Sequence, residues 1–238
     1  MFFETFLEIL TKELGMIYNI GKRKADRGSG RSMNYENTEL YFLEKDVKRN
    51  FGEELGQKIF NRSAKLNAEL SVTTDYKNSP TFERQLTRLV FPVMAYYKTL
   101  LAFGHRKDAA LGLVRSEMEK AARESGEVLA NQMRPIFPFR AFKGNIKNFI
   151  EYKFPSCVWK TANLDVKGSS IQFEVQECFY FTMTEKFGCP ELGEVFCEYE
   201  KVAFDGLLPQ IRCERGGTIA TGHDICEYCF RKGERKKK

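Results

Sequence analysis

Long apolar stretches are missing from this chain of 238 residues. The longest strongly apolar run, Leu89 to Tyr97, is interrupted by Pro92 and falls far short of the ~20 residues that span a bilayer. No membrane partner is therefore expected. A secretory leader is not legible either. Met1 to Leu14 offers Phe2, Phe3, Phe6, Leu7, Ile9, Leu10 and Leu14, but Glu4, Glu8, Lys12 and Glu13 interrupt them, which makes an amphipathic helix and not a signal core. A reducing cytoplasm is the expected location, and the seven cysteines, an odd number, read as thiols or ligands and not as disulfides.

A basic face is missing too. The net charge is +6, but Arg231, Lys232, Arg235, Lys236, Lys237 and Lys238, less Glu234, carry five of those positives. The rest of the chain is almost neutral. Nucleic-acid binders spread basic residues over a folded face, so this terminus reads as a solubilising tail and no nucleic-acid partner is expected. No internal repeat is present. With 42% hydrophobic residues, 21 Phe and 10 Tyr among them, the chain can fill a core, so disorder is not the default.

The first 150 residues read as helical. Val47, Phe51, Leu55 and Ile59 recur every four positions and predict one helix flank, weakened by Gly52 and Gly56. Ser79-Pro80 is a helix start, with a hydroxyl to cap free N–H groups and proline in the first turn. Pro92 should kink that helix. Asp108 can cap another, carrying Leu111, Val114 and Met118 to about Ala130. The basic, glycine-rich segment Gly21 to Ser32 reads as a solvated linker in preference to a phosphate loop, because no strand precedes it. After about Lys153 the period shortens to two. Cys157 to Val166 and Ile171 to Tyr180 predict a β-hairpin, Gly188 to Tyr199 a helix, and Ile211 to Arg215, Thr218 to Thr221 and Ile225 to Phe230 short strands. The expected fold is α+β: a helical N-terminal half packed on a small antiparallel sheet formed by a C-terminal β-β-α-β-β segment. Residues 1–150 form the helical region and 151–232 the cysteine-rich α+β region, together one composite domain, with 233–238 a basic tail.

A second C-x-x-C is also absent. Zinc sites take four soft ligands, usually as paired knuckles, and Cys226-Glu227-Tyr228-Cys229 is a single one. On a strand, Cys226, Tyr228 and Phe230 face one way and Glu227 and Cys229 the other, so those two sulfurs do not chelate one ion. Nor does the pair open a helix, as a redox centre does. The main reading has no metal and no cofactor. The alternative is zinc held by Cys178, Cys197 and Cys226, with or without His223.

What the chain does have is a concentration of soft, titratable groups after residue 156: all seven of its cysteines, one of its two histidines and its only tryptophan. Cys178 is expected at a strand end, Cys197 on the next helix, and His223-Asp224 leading into the strand of Cys226. These groups are expected to converge on the rim of one pocket at one end of the sheet. A thiolate beside an imidazole supplies a nucleophile at neutral pH. For any single cysteine the alternative is a small buried hydrophobe, which is the reading taken for Cys157, Cys189 and Cys213. His105 reads as a turn or cap residue and Trp159 as core. Arg212 and Arg215, three apart on a strand, face opposite ways. Arg215, beside Gly216-Gly217, can grip a substrate carboxylate in a bidentate fashion or stand as a solvated strand end. Glu191, Glu194 and Glu198 form a wet helix face.

Val175-Gln176-Glu177-Cys178, Gly188-Cys189-Pro190-Glu191-Leu192, Phe196-Cys197, and Thr218-Ile219-Ala220-Thr221-Gly222-His223-Asp224-Ile225-Cys226, with Tyr228 and Phe230, resemble the L-2-amino-thiazoline-4-carboxylic acid hydrolase family. The likeness covers about Val175 to Phe230. It departs where an aspartate expected soon after the second cysteine is Glu200, and where Cys229 is extra. The resemblance implies ring-opening of a cyclic isothiourea to N-carbamoyl-L-cysteine on a bacterial route to cysteine. A small-molecule substrate is then the expected partner, and nothing in the sequence fixes an oligomeric state. The ring carbon between sulfur and nitrogen is electrophilic, so a thiolate or activated water adds to it, and the departing sulfur needs a proton donor. For that chemistry the catalytic candidates are Cys178 or Cys197 as nucleophile or general acid, with Asp224 orienting His223 or a donor thiol and Cys226 beside them, and the substrate-binding candidates are Arg215 and Thr218. The stretch is also similar to 4-vinyl reductase-type domains, which gives the alternative of a non-catalytic small-molecule or zinc-binding module.

Overall fold

The computed structural model of the protein describes residues 35–132 and 137–234. The expected amphipathic helix Met1 to Leu14, the segment Gly21 to Ser32 and the last four residues of the basic tail lie outside the described residues.

The four-residue spacing from Val47 to Ile59 is divided between two helices, α1 (Leu43–Phe51) and α2 (Glu53–Thr73). Gly52 breaks the run at φ 81°, a conformation that costs glycine nothing. Gly56 then packs against the backbone of Lys48, where a Cβ would lie 2.5 Å from the Lys48 Cα. The fold-back leaves Leu55 41% exposed, off the core that Val47 and Ile59 enter.

Ser79 caps α3 (Pro80–Gln85), its hydroxyl accepting from the Phe82 N–H at 3.2 Å. The distortion expected at Pro92 takes the form of a π turn, Leu86–Val90, before α4 (Phe91–Ala102). Proline has no N–H for the Arg88 carbonyl and its ring crowds that oxygen. The freed carbonyl accepts the Glu39 N–H at 2.8 Å, and the Tyr35 hydroxyl donates to the Pro92 carbonyl at 2.8 Å. Three more helices follow, α5 (Lys107–Gln132), α6 (Pro138–Gly144) and α7 (Ile146–Lys153).

The C-terminal half contains β1 (Lys160–Val166), β2 (Ser170–Glu177), α8 (Phe179–Lys186), α9 (Leu192–Asp205), β3 (Ile211–Arg215) and β4 (Cys226–Lys232). The sheet is antiparallel in the order β1-β2-β4-β3. Two parts differ from the sequence reading. Phe179 and Tyr180 open a helix instead of ending a strand, and Ile219–Thr221 is a 3-10 turn closed by reciprocal bonds between Thr218 and Thr221. The order is β-β-α-α-β-β, and the fold class is α+β.

Alternation buries one sheet face, Ile171, Phe173 and Val175 on β2 with Cys226, Tyr228 and Phe230 on β4. The helices cover that face with aromatic rings. Phe142, Phe149 and Phe204 lie 5.1, 5.7 and 5.4 Å from the Phe230 ring, and Phe154 lies 5.2 Å from Tyr228. Trp159 is buried against Phe179 and Tyr180. Helices α5 and α9 touch backbone to backbone where Gly206 meets Gly126, an approach that any side chain would block. The outward glutamates of α9 are bound and not merely wet: Glu198 pairs with Arg115 at 3.0 Å. Among the described residues no helix is long and apolar enough to cross a membrane.

Candidate active site

Cys178 is the residue that joins β2 to α8, Cys197 lies on α9, and Cys226 opens β4 opposite Val175. The structure brings these three thiols within electrostatic reach of one another and of Glu200. Burial pushes Cys178 far above the ordinary thiol range, the Glu200 charge adds to it, and the Phe181 amide works against both. Burial and then Glu200 push Cys197 up to about 11, opposed by Arg215 and a hydrogen bond with Thr218. Cys226 is raised by burial although the Ile219 N–H donates to its sulfur at 3.3 Å. A low-dielectric site beside a carboxylate disfavours a second negative charge. At neutral pH these groups are thiols, not thiolates.

His223 and Asp224 are exposed on the turn before β4. The His223 N–H donates to the Thr218 carbonyl at 3.1 Å and its imidazole stands against Gly217. Among the described residues no hydrogen bond joins either side chain to a thiol, so the expected imidazole–thiol pairing is not formed. His105 packs edge-on against Phe51. Cys226 and Cys229 face opposite sides of the sheet, Cys226 buried and Cys229 accepting from the Gln172 amide at 3.7 Å. No three His, Cys, Asp or Glu side chains among the described residues are grouped as metal ligands, which leaves the Cys178, Cys197 and Cys226 zinc alternative without a preformed site.

The polar centre beneath the thiols is Glu200, one helical turn beyond Cys197. Its Oε2 accepts from Arg215 Nη1 at 2.9 Å and from the Tyr228 hydroxyl at 2.6 Å. Antiparallel pairing sets Arg215 opposite Tyr228, which puts the guanidinium 5.4 Å from the ring centroid. Its other terminal nitrogen donates to the Cys197 carbonyl at 2.9 Å. Arg215 is therefore neither a solvated strand end nor an open fork, since Glu200 already fills its carboxylate position. Glu200 is raised above the ordinary carboxylate range by burial, against the opposing effects of Arg215, the Tyr228 hydrogen bond and Lys153. Its Oε1 accepts no hydrogen bond among the described residues.

Two cavities adjoin this centre. A hollow of about 240 Å³ is lined by Lys201, Cys213, Arg215, Gly216 and Thr218. Arg215 and Thr218, the expected substrate-binding pair, do share it, but the thiols expected on its rim do not line it. Cys213, read from the sequence as a buried hydrophobe, does. The larger cavity, of about 490 Å³, reaches Glu200 itself and is bounded by Lys153, Arg84, Arg88, Tyr180 and Tyr199, among others. In the sequence Glu200 stands out only where the family likeness expects an aspartate, Tyr228 only as one of its aromatics, and Lys153 only as the end of the helical half; none of the three carries a role there. A signal existed for Glu200: Phe196, Ala203 and Phe204, four residues before and three and four after it, are all buried, so helical periodicity puts this acid on the core face.

The fold and the centre define an α+β protein whose helical layer covers an antiparallel sheet and encloses a carboxylate–guanidinium–phenol cluster beside a cavity. A family model for L-2-amino-thiazoline-4-carboxylic acid hydrolase matches residues 83–230, well over half of the chain, and the protein belongs to that family. No curated protein and no solved structure matches it.

Proposed function

We propose that the protein hydrolyses a small cyclic isothiourea carboxylate of the kind its family is named for, opening L-2-amino-thiazoline-4-carboxylate to N-carbamoyl-L-cysteine, with Glu200 as the acid–base group. One observation carries this reading: a buried carboxyl whose affinity for a proton is raised lines a cavity of about 490 Å³. Cavities of roughly 300–1,000 Å³ are typical of small-molecule sites, and a carboxyl group whose proton affinity is raised by burial is suited to acid–base work.

In this scheme Glu200 takes a proton from water as the water oxygen bonds to the ring carbon between sulfur and nitrogen. The carbon–sulfur bond then breaks, and Glu200 returns the proton to the departing sulfur. One water is added, and the products of the cleavage are a ureido group and a free thiol on the same molecule. Arg215 and Tyr228 hold Glu200 through Oε2 and leave Oε1 for the reaction. Cys178, Cys197 and Cys226 serve as protonated neighbours that keep the carboxylate dry, and the nucleophile is water. Seven free cysteines and a thiol product suit a reducing compartment, and we assign the reaction to the cytoplasm. The test is incubation of the full chain with the thiazoline carboxylate, followed by titration of released thiol and by mass. One new thiol and one added water per ring are expected. An unchanged ring would refute the proposal.

A further inference from the structure

We propose that Lys153 and Arg84 form the carboxylate-binding end of the larger cavity, so that the site selects rings bearing a carboxylate. The inference deepens the hydrolase reading and rests on it. It starts from the charges that border the cavity: Glu39, Arg84, Arg88, Lys153 and Glu200. Arg88 is paired with Glu39 at 2.9 Å and Glu200 with Arg215 at 2.9 Å. Among the described residues Arg84 and Lys153 form no ion pair. Two cations without partners at the wall of a cavity favour an anionic ligand group.

Lys153 is the sharper case. It is the last residue of α7, where a cation is favoured by the helix dipole, but that interaction is equally available at the surface. Instead the side chain is partly buried, its ammonium 5.6 Å from the Tyr152 ring centroid and 6.0 Å from that of Phe204. A buried ammonium without an anion is costly, and burial lowers its proton affinity while Glu200 and Glu39 act to restore it. Lys153 and Glu200 thus border the same cavity and influence each other's charge without closing an ion pair. The cyclic isothiourea is cationic or amidine-like at one end and anionic at the other. Its N–H groups match Glu200 and its carboxylate matches Lys153 and Arg84. Arg215, the sequence-level candidate for this task, has its fork taken up by Glu200, Tyr228 and the Cys197 carbonyl.

The test uses two unreactive probes, 2-aminothiazole-4-carboxylate and 2-aminothiazole, with binding read by calorimetry on the full chain. Lys153→Met is expected to weaken the carboxylated probe at least ~10-fold, the loss of one charge-assisted hydrogen bond, and to leave the other probe unchanged. Arg84→Gln should act in the same direction, Lys153→Arg should retain most of the affinity, and Glu200→Gln should weaken both probes. Equal losses on the two probes in Lys153→Met, wild-type affinity in that variant, or no binding by the wild type at millimolar probe would each overturn the assignment. The hydrolase reading fails separately. Lys153-dependent binding without ring opening removes the reaction and keeps the anchor. Ring opening with an unchanged KM in Lys153→Met removes the anchor and keeps the reaction.

Discussion

Glu200 on α9 and Arg215 on β3 meet at 2.9 Å, and both are largely enclosed, with side chains 13% and 12% exposed. A buried pair of this kind repays its desolvation only when its remaining hydrogen-bonding groups are also satisfied. Here Tyr228 and the Cys197 carbonyl supply that satisfaction. The pair joins the cysteine-bearing helix to the sheet and fixes where the carboxylate stands.

Removing the guanidinium leaves the carboxylate buried without its cation. Arg215→Met should cost about 3 kcal/mol, the usual penalty for breaking such a pair, seen as a lower melting temperature above pH 7. Because Arg215 opposes the upward shift of Glu200, its loss should move the acidic limb of kcat/KM to higher pH. Tyr228→Phe should move it in the same direction by less. A limb that stays in place in Arg215→Met would separate Glu200 from the titration that limits turnover.

Protonated thiols react slowly with electrophiles. Exposed Cys157 should be alkylated first by iodoacetamide at pH 7.5, with Cys178, Cys197 and Cys213 at least ~10-fold slower, as read by peptide mass mapping. With water as nucleophile, Cys197→Ser should keep turnover within about tenfold of wild type, whereas loss of a covalent nucleophile costs several orders of magnitude. Rapid labelling of Cys197 together with an inactive serine variant would restore the thiol as the attacking group.

A second titratable pair lies in the helical half. Asp46 and Glu117 are 1% and 2% exposed, and Lys120 reaches Asp46 at 2.8 Å. Burial, and then Asp46, push Glu117 up to about 7. Asp46, despite its burial, is held below its ordinary value by hydrogen bonds from Lys120 and Glu117. One proton is thus kept on Glu117. In the unfolded chain Glu117 returns to about 4.5, so the native state binds more protons between those values. The stability from this group is complete below about 4.5 and is lost as pH rises through about 7. Glu117→Gln keeps a donor for Asp46 and removes the titration. Its melting temperature should fall less than that of wild type between about pH 5 and pH 8, and should exceed it by a few degrees at pH 8. Parallel curves for the two proteins would contradict the shared proton.

Much of the fold could be read from residue spacing, because local rules decide it. Ser79-Pro80 opens its helix, and the strand period places Cys226, Tyr228 and Phe230 on one face with Cys229 on the other. The same rule puts Arg212 and Arg215 on opposite faces. Helix α8 was missed because Phe179-Tyr180-Phe181-Thr182 has strand-like composition, although Phe179, Tyr180, Met183 and Thr184 are buried at helical spacing. The break at Gly52 depends on a tertiary fold-back that no local pattern records. The residues carrying the family likeness begin at Val175, yet the family match begins at residue 83. The helical half holds its sequence information in packing positions, which look alike in many proteins. At the site, the cysteines stand out through their chemical rarity, while Glu200 stands out only as a departure from the aspartate that the family likeness expects, with no role attached. Its importance comes from Arg215 and Tyr228, which lie 15 and 28 residues further along the chain.

Glu200→Gln, assayed for ring opening across pH beside the wild type, tests the central claim most directly. The substitution keeps size and polarity and removes only the exchangeable proton. Turnover should fall by about 10²–10⁴-fold, the usual contribution of a positioned acid–base group, and the acidic limb of the pH profile should disappear with it. Turnover within a few-fold of wild type, with that limb still in place, would show that the reaction runs elsewhere.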